Sequence, residues 1–491
     1  MVQPLSASLY VGGEWVHETT SRIEIINPAT EGVIGHAAVA DKVICNQAIG
    51  AAREAFDSGI WPRMSTRERV DVLQKMHDYL MSKRSEIVDL VIREAGATQM
   101  LAEFLHFGIA MKHASHLMAE ALRIQPSLTP IELTPSMDGT TVMGTSVTVY
   151  EPIGVVTAIT AYNFPFFLNV TKIFHVLTMG NTVVLKPSPY TPMQASILGE
   201  AAEAAGLPKG VLNIVNGDVE TGEQLTTDKR VDMVTFTGSD KVGALIMAQA
   251  APTLKKVHME LGGKSALIVR ADADLKKAAQ TGLGSFTVQA GQGCALTTRH
   301  LVHNSVRKAY VETLAAMAAH IKVGDPADPT THMGPLIREA ARQRTEQFVG
   351  YGLDAGARLV CGGRRPQGID RGFFYEPTLF DDVRNDMQIA QQEIFGPVGV
   401  VIGYDTDEEA ISIANDSEFG LHGSIFTADA GKAYQIALQI RTGGMSINGG
   451  GGTMLSDAPF GGYKRSGLGR EYGREGLLEF TQIKSISFHA G

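Results

Sequence analysis

The chain has 491 residues, of which 44% are hydrophobic and 19% are charged, and this composition is ordinary for a globular protein. The length predicts about three domains of roughly 150 residues each. The formal net charge of −9 leaves no basic surface for nucleic acid, and no apolar run approaches the roughly 18 residues that cross a bilayer. We therefore expect no nucleic-acid partner and no membrane partner.

The cysteines and the N-terminus indicate the cellular compartment. The chain contains Cys45, Cys294 and Cys361, and none of them belongs to a CxxC pair. This pattern argues against a disulfide framework and against a structural zinc site. Residues 1–10 have neither the basic start nor the long apolar segment of a secretory signal. We expect a cytoplasmic protein without a bound metal, and we ask whether one cysteine is a nucleophile.

The first third of the chain predicts a hairpin, helices and a ribbon. Residues 10–16 are strand-like around a Gly-Gly turn, and a helix is predicted from Ser65, which forms a capping box with Glu68. Residues 129–150 are rich in β-branched side chains and contain an Asp-Gly turn signal. A two-stranded ribbon alone is marginally stable in water, so it must pair with something, and a partner subunit is one candidate.

Between residues 153 and 269, short runs rich in β-branched residues alternate with helical segments. The strand-like runs cover residues 154–159, 182–186, 211–215 and 232–236. Strands that alternate with helices predict a parallel sheet covered on both faces, of the Rossmann type. Residues 262–465 again mix both kinds of segment and predict a second α/β domain.

One helix in this region has clear predicted ends. Thr191 is a good N-cap, Pro192 suits the first helical position, and Gln194 would complete a capping box. Gly206 can end the helix in the left-handed conformation. We therefore predict a helix that begins after Thr191 and ends at Gly206.

Three residues favour a nucleophilic site. Cys294 ends a Gly-Gln-Gly-Cys sequence, whose glycines allow the backbone to approach a ligand closely. Glu260 is predicted at the end of a strand, where catalytic groups and ligands gather in parallel sheets. Asn163 follows another strand, and its amide could donate to an oxyanion. Each residue alone has a structural explanation, but together they favour a cysteine nucleophile with a glutamate base.

A phosphate-binding turn is a further candidate. Gly238 and Ser239 lie between a predicted strand and a helix start, where free N–H groups and the positive end of the helix dipole favour a pyrophosphate. The segment lacks the strict GxGxxG fingerprint, so the turn alone leaves the question of a nucleotide site open.

These motifs, in this order, resemble the NAD(P)-dependent aldehyde dehydrogenase superfamily. The resemblance rests on Glu-Leu-Gly-Gly-Lys at 260–264, Gly-Gln-Gly-Cys at 291–294 and Glu-Ile-Phe-Gly-Pro-Val at 393–398. It covers nearly the whole chain, up to Pro-Phe-Gly-Gly-Tyr-Lys at 459–464. It implies an α/β enzyme with a Rossmann-type cofactor domain, a second α/β catalytic domain and a small β-ribbon oligomerisation element.

The resemblance also implies domain boundaries and an assembly. The dinucleotide-binding domain comprises residues 1–128 and 149–261, and the catalytic domain comprises residues 262–465. Residues 129–148 and 466–491 resemble oligomerisation segments that normally pair across subunits. We expect a homodimer, or a tetramer built from dimers.

The catalytic roles implied by the resemblance fall on the same three residues. Cys294 attacks the aldehyde carbon and forms a tetrahedral thiohemiacetal. The Asn163 amide and the backbone N–H of the cysteine stabilise the oxyanion. Hydride then passes to the nicotinamide, and water activated by Glu260 releases the acid from the thioester.

The cofactor is expected to be NAD, with NADP as an open alternative. Many NAD-selective members have a glutamate three residues after the cofactor lysine, where this chain has Pro189, and Ser188 could even donate to a 2′-phosphate. The residues that match the family's cofactor contacts are Lys186 and Ser188 near the adenosine ribose, Gly238 and Ser239 at the phosphate turn, and Glu393 and Phe395 near the nicotinamide.

The substrate is expected to be a bulky apolar aldehyde: aromatic, terpenoid, or medium to long aliphatic. The residues that match pocket-lining positions are Phe164, Phe167, Leu168 and Phe460, each of which could equally be a core residue. The four glycines at 449–452 contribute no side-chain bulk to the predicted mouth of the pocket.

Three alternatives complete the sequence interpretation. A CoA-acylating semialdehyde dehydrogenase would typically lack the base at Glu260. A catalytically silent binding or structural member of the fold would be expected to have lost Cys294, Glu260 or Asn163, and all three are present. A metal hydrolase finds no support, because the chain has no HExxH motif.

Overall fold

The computed structural model of the protein describes residues 5–489, except for the side chain of Thr453. The strands are β1 (Leu5–Ala7), β2 (Leu9–Val11), β3 (Glu14–Val16), β4 (Arg22–Ile26), β5 (Val33–Ala38), β6 (Ser127–Leu128), β7 (Glu132–Pro135), β8 (Thr141–Pro152), β9 (Val155–Ile159), β10 (Thr182–Lys186), β11 (Leu212–Ile214), β12 (Met233–Thr237), β13 (Lys256–Glu260), β14 (Ala266–Val269), β15 (Arg299–His303), β16 (Arg358–Cys361), β17 (Thr378–Asp381), β18 (Val398–Tyr404), β19 (Phe419–Gly420), β20 (Gly423–Phe426), β21 (Ser446–Ile447), β22 (Tyr463–Lys464), β23 (Gly467–Leu468) and β24 (Thr481–His489).

The α-helices are α1 (Lys42–Asp57), α2 (Thr66–Ser82), α3 (Arg84–Ala95), α4 (Gln99–Leu101), α5 (Ala110–Ala121), α6 (Pro165–Thr178), α7 (Ser196–Ala205), α8 (Val219–Thr227), α9 (Asp240–Ala250), α10 (Leu275–Thr287), α11 (Asn304–Ala318), α12 (Glu339–Asp354), α13 (Gln388–Gln391), α14 (Asp407–Asn415), α15 (Ala430–Ala437) and α16 (Gly473–Leu478). A π-helical stretch, Ala102–Ile109, runs directly into α5. Short 3₁₀ turns cover Met193–Ala195, Ala251–Thr253, Val288–Gly291 and Gly452–Met454.

The first large sheet has eight strands in the order β23-β13-β12-β9-β10-β11-β2-β3. Strands β9 to β13 are parallel, and the two edges are closed by antiparallel strands. The predicted N-terminal hairpin, now β2 and β3, lies at one edge. Lys186 lies opposite Ile159, and Glu260 lies opposite Thr237. The carboxyl ends of these strands therefore meet at one edge, where ligands bind in open parallel sheets.

The second large sheet has seven strands in the order β16-β17-β18-β15-β14-β20-β21, parallel except for β16. Each large sheet has a buried apolar cluster on either face, because its strands are apolar on both faces. The predicted fold class, an α/β protein with two such domains, is confirmed.

The predicted ribbon at 129–150 is present as the antiparallel pair β7 and β8. Its partner is the C-terminal strand of the same chain, because β24 pairs with β8 from Thr481 to His489. Strand β6 also pairs with β8, and the resulting four-stranded sheet supplies the additional pairing that an isolated hairpin lacks.

The capping box at Ser65 is confirmed, but the one predicted at Thr191 is wrong. The helix ends at Gly206 as expected, but it starts with a 3₁₀ turn, and the Gln194 amide donates to the Thr191 carbonyl oxygen. The first N–H groups are capped instead by the buried carboxyl of Glu94, which accepts from Met193 N at 2.9 Å. A residue from another helix therefore supplies the cap. Burial raises the pKa of Glu94 to about 8.

Among residues 5–489, no helix combines the length and the apolar character that a membrane span requires.

Candidate active site

The cysteine segment lies on a sharply turned backbone between the two large sheets. Gln289, Ala290 and Gly291 all have positive φ, at 49°, 53° and 74°. At Gly291 a Cβ would also collide with the carbonyl of Gly396, so both the conformation and the space require glycine. The turn leaves Cys294 half-buried.

Backbone contacts join this segment to the end of β13. A Cβ at Gly263 would collide with the carbonyl of Cys294. The structure therefore brings the glycine pair that follows Glu260 against the cysteine, as the sequence pattern suggested. This backbone contact joins the end of β13 in the first sheet to the segment that precedes β15 in the second sheet.

Asn163 is placed beside the cysteine segment by a buried hydrogen-bond network. Its Nδ2 donates to the carbonyl oxygen of Gln292 at 2.9 Å. The Gln292 side chain in turn donates to Gln289 O at 2.9 Å and accepts from Ile337 N at 3.1 Å. One amide N–H of Asn163 thus fixes the side chain, and the second remains for another acceptor.

Glu260 ends β13 as predicted, and its carboxyl is buried. Neither carboxyl oxygen has a hydrogen-bond partner in the part of the chain that the structure describes. Burial, and then the charge of Glu471, raise the pKa of Glu260 well above its usual value. A buried carboxyl without partners is costly for stability, and this is typical of a group kept for chemistry.

Two charged residues near Glu260 were missed by the sequence interpretation. Lys172 and Glu471 form a buried ion pair at 2.8 Å, and the Lys172 ammonium also donates to Thr235 Oγ1 at 2.9 Å. Lys172 lowers the pKa of Glu260, whereas Glu471 raises it. The missed signal was a single lysine inside helix α6, which contains no Asp, Glu or Arg, since a buried charge needs a partner.

The Cys294 thiol has a raised pKa. Burial is the largest cause, followed by the negative charges of Glu260 and Glu393. The thiol form is therefore favoured in the site as the structure shows it, and reaction through the thiolate requires a base or a nearby positive charge.

The two residues predicted near the nicotinamide lie next to the cysteine. Glu393 Oε1 accepts from Gly263 N at 3.0 Å, and a Cβ at Gly262 would lie 2.5 Å from Glu393 Oε2. Burial raises the pKa of Glu393 to about 7. The ring of Phe395 lies perpendicular to that of Tyr162, with centroids 6.0 Å apart.

Lys186 is the last residue of β10 and Ser188 follows it by two positions, and both are buried. Burial lowers the pKa of Lys186 to about 8, and Asp218 partly offsets this. The Ser188 hydroxyl oxygen accepts from Tyr190 N at 3.3 Å, which leaves its own proton free to donate elsewhere.

The predicted phosphate turn has little spare hydrogen-bonding capacity. Gly238 N already donates to the carbonyl oxygen of Glu260 at 3.0 Å, and Ser239 Oγ caps α9 by accepting from Val242 N at 3.4 Å. The turn therefore contributes space and the positive end of α9 more than free donors.

The predicted pocket residues separate into two groups. Phe167 and Phe460 both contact Tyr472, with ring centroids 6.3 and 6.1 Å apart, and we call Phe167, Phe460 and Tyr472 the aromatic cluster. Leu168, next to Phe167, is buried. The ring of Phe164 instead lies against His106, at 5.2 Å.

The fold and the site define a class: an α/β protein with a nucleophilic cysteine and a buried carboxyl where two parallel sheets meet. The sequence model of the aldehyde dehydrogenase family matches residues 15–486. The chain belongs to the aldehyde dehydrogenase family.

Individual relatives agree over almost their full length. A putative aldehyde dehydrogenase of Staphylococcus aureus is 38% identical over 97% of this chain and 98% of its own. The aldehyde dehydrogenase of Mycobacterium tuberculosis, solved with NAD⁺, is 42% identical with a TM-score of 0.92, covering 99% of this chain and 98% of its own. A mutant aldehyde dehydrogenase C of Pseudomonas syringae, solved with NAD⁺ and octanal, is 35% identical with a TM-score of 0.90, covering 98% and 96%.

Proposed function

We propose that this protein oxidises an aldehyde to the carboxylic acid, with Cys294 as nucleophile, Asn163 as oxyanion donor and Glu260 as general base. The observation that carries the proposal is the contact between the carbonyl of Cys294 and Gly263, which lies three residues after Glu260, whose buried carboxyl has no hydrogen-bond partner among the described residues. NAD is the proposed cofactor, as the relatives solved with NAD⁺ suggest.

The residues present fit such a cofactor. The Glu393 carboxyl is held by Gly263 N, and it lies beside the cysteine, where it would hold the nicotinamide ribose. Phe395 would pack near the nicotinamide ring, and Lys186 would donate to the adenosine ribose. NAD⁺, when bound, supplies the hydride acceptor. Because Pro189 offers no carboxylate to repel a 2′-phosphate, the alternative cofactor NADP belongs in the same assay.

The protein's own groups then perform the acylation. The Cys294 sulfur bonds to the aldehyde carbon as its proton passes to Glu260, and the carbonyl π pair moves to oxygen. The free N–H of Asn163 and the backbone N–H of Cys294 hold that oxyanion. When the carbonyl re-forms, the C–H bond breaks with its electron pair, and a thioester remains on Cys294.

Hydrolysis completes the cycle. Glu260, after releasing its proton to solvent, takes a proton from a water molecule as the water oxygen attacks the thioester carbon. The C–S bond then breaks, the thiolate leaves, and the acid is released. Among the described residues neither Glu260 oxygen has a hydrogen-bond partner, so both oxygens are available to accept from that water.

A bulky apolar aldehyde remains our proposed substrate class. The aromatic cluster offers three rings near the cysteine, and the P. syringae relative was solved with octanal. A second candidate is betaine aldehyde, because a betaine aldehyde dehydrogenase of S. aureus is 34% identical with a TM-score of 0.93. Aromatic rings can hold a quaternary ammonium through cation–π attraction.

The test is the initial rate of NADH and NADPH formation over a panel of aldehydes, with and without CoA. We expect NADH to form without CoA, and we expect a higher kcat/KM for larger apolar aldehydes than for acetaldehyde. Cys294→Ala should have no activity. Activity only with CoA would move the protein to the acylating class. Preference for acetaldehyde over every larger substrate would remove the bulky-substrate proposal, and a silent panel would favour a binding or structural role.

We also propose a homo-oligomer in a cytoplasmic setting. The ribbon and β24 expose large apolar side chains, namely Leu133, Met137, Ile483, Ile486 and Phe488. Exposed apolar residues on a sheet at its edge mark a surface suited to a second copy. The cytoplasmic setting rests on the three free cysteines, which suit a reducing compartment.

A further inference from the structure

His113 lies on α5 against the aromatic cluster. Its ring centroid is 4.4 Å from that of Tyr472 and 5.6 Å from that of Phe167, and both contacts are edge-on. The side chain is fully buried. Nothing in the proposed mechanism uses this imidazole.

Neither ring nitrogen of His113 has a hydrogen-bond partner within residues 5–489. The backbone of Met454 lies near the ring and raises its pKa, but it does not meet the geometry of a hydrogen bond to either ring nitrogen. The neighbouring His175 is different: its Nδ1 lies 2.6 Å from Thr171 O, and its Nε2 accepts from Tyr472 N at 2.9 Å. The imidazole of His175 is therefore structural, whereas neither ring nitrogen of His113 makes a hydrogen bond within the described residues.

An unused buried nitrogen is costly, because it has lost its hydrogen bonds to water and gained none. Such a group calls for a partner that is a bound molecule. Burial lowers the pKa of His113 to about 4, and the nearby charges of His175, Lys112 and His116 act in the same direction. The ring is therefore neutral near pH 7, with one donor and one acceptor nitrogen.

The aromatic cluster adjoins the reacting groups. The charges of Glu260 and Cys294 both raise the pKa of the Tyr472 phenol. Gly461, the residue after Phe460, would place a Cβ 2.9 Å from Glu260 Oε1. A substrate whose aldehyde carbon is at Cys294 and whose ring packs on Phe167 and Tyr472 would lie beside the two rings that His113 contacts.

We propose that His113 is a specificity-determining residue that hydrogen-bonds a hydroxyl group at the far end of the substrate, and that the substrates are hydroxylated aromatic aldehydes. This inference rests on the proposed aldehyde oxidation. A hydroxyl can both donate and accept, which matches a neutral imidazole, whereas a carboxylate would find no positive charge on it. The rings of Phe167 and Tyr472 suit the aromatic part of such a substrate.

The test compares substrates that differ in one oxygen. The kcat/KM of meta- and para-(hydroxymethyl)benzaldehyde is measured against meta- and para-ethylbenzaldehyde, which are of similar size and do not ionise. We expect the wild type to prefer at least one hydroxymethyl compound by about tenfold, the effect of satisfying one buried group. His113→Phe should abolish the preference, and His113→Gln should retain part of it.

A ratio of two substrates separates recognition from stability, because a misfolded variant loses both activities together. His116→Ala is the matched control: His116 lies one turn further along α5, is exposed and pairs with Asp457, so its ratio should equal that of the wild type. Equal wild-type values for the two substrate types, an unchanged preference in His113→Phe, or a preference for betaine aldehyde over both would overturn the inference. Failure of the proposed function is distinct, since no aldehyde would then yield NADH.

Discussion

At the scale of single residues, burial favours the protonated forms of the two groups that we propose to react. Burial raises the pKa of both the Cys294 thiol and the Glu260 carboxyl, and their negative forms also repel each other. Each must lose a proton before it acts, so the active fraction of enzyme grows as pH rises towards the raised values. We therefore expect kcat/KM to increase from pH 6 to pH 9.

Steady-state rates across that range test this expectation. Glu260→Gln should reduce kcat by about 10²-fold or more, since general-base catalysis contributes about that much. The activity that remains should depend less steeply on pH. A rate that falls from pH 6 to pH 9 in the wild type, with the protein still folded, would contradict the assignment of both groups.

The Asn163 amide, the proposed oxyanion donor, is a second single residue whose removal has a measurable effect. Its contact with Gln292 O fixes its direction, so removal of the side chain should weaken the transition state and not the binding of substrate. We expect Asn163→Ala to lower kcat by about 10²- to 10³-fold with little change in KM. A large rise in KM at constant kcat would show that Asn163 binds the substrate instead.

At the scale of the elements, the ion pair Lys172–Glu471 joins α6 to the segment that leads into α16. Both side chains are buried, so removal of one partner leaves an uncompensated charge. We expect Lys172→Met to lower the free energy of unfolding by about 3–5 kcal/mol. Chemical denaturation measures the loss, and the double variant Lys172→Met/Glu471→Leu should recover part of it. Equal losses of unfolding free energy in the single and double variants would show that these two side chains stabilise the protein through packing and not through their charges.

At the scale of the whole molecule, the completed ribbon leaves β24 as an exposed edge strand. Because β8 pairs with β24 inside the chain, the other edge of β24 and its apolar side chains are what a second copy would cover. We expect light scattering to show a dimer or tetramer, and Ile483→Lys/Ile486→Lys to shift it to the monomer. Lys484→Glu is the control, because it changes the charge of the same strand without removing an apolar side chain. A wild-type monomer at micromolar concentration would refute the assembly.

The sequence alone determined the local and the repetitive features of this protein. Alternation of β-branched runs with helices predicted the first parallel sheet, and Glu260 and Asn163 were both expected near strand ends, where the structure has them. These features depend on a few neighbouring residues, whose steric and hydrophobic preferences act at short range. The cysteine segment was identified by its resemblance to the family's motifs, which are also short stretches of neighbouring residues.

Only the tertiary structure decided which distant residues meet. Glu94 caps a helix about a hundred positions further along the chain, and Lys172 pairs with Glu471. His113 packs against an aromatic cluster drawn from two other segments and has no hydrogen-bond partner within residues 5–489. Each of these environments is created by packing, and burial is what turns an ordinary glutamate, lysine or histidine into a group with a shifted pKa or an unmet hydrogen bond. The local sequence does not predict such contacts, because the energies that stabilise them come from residues that meet only when the chain folds.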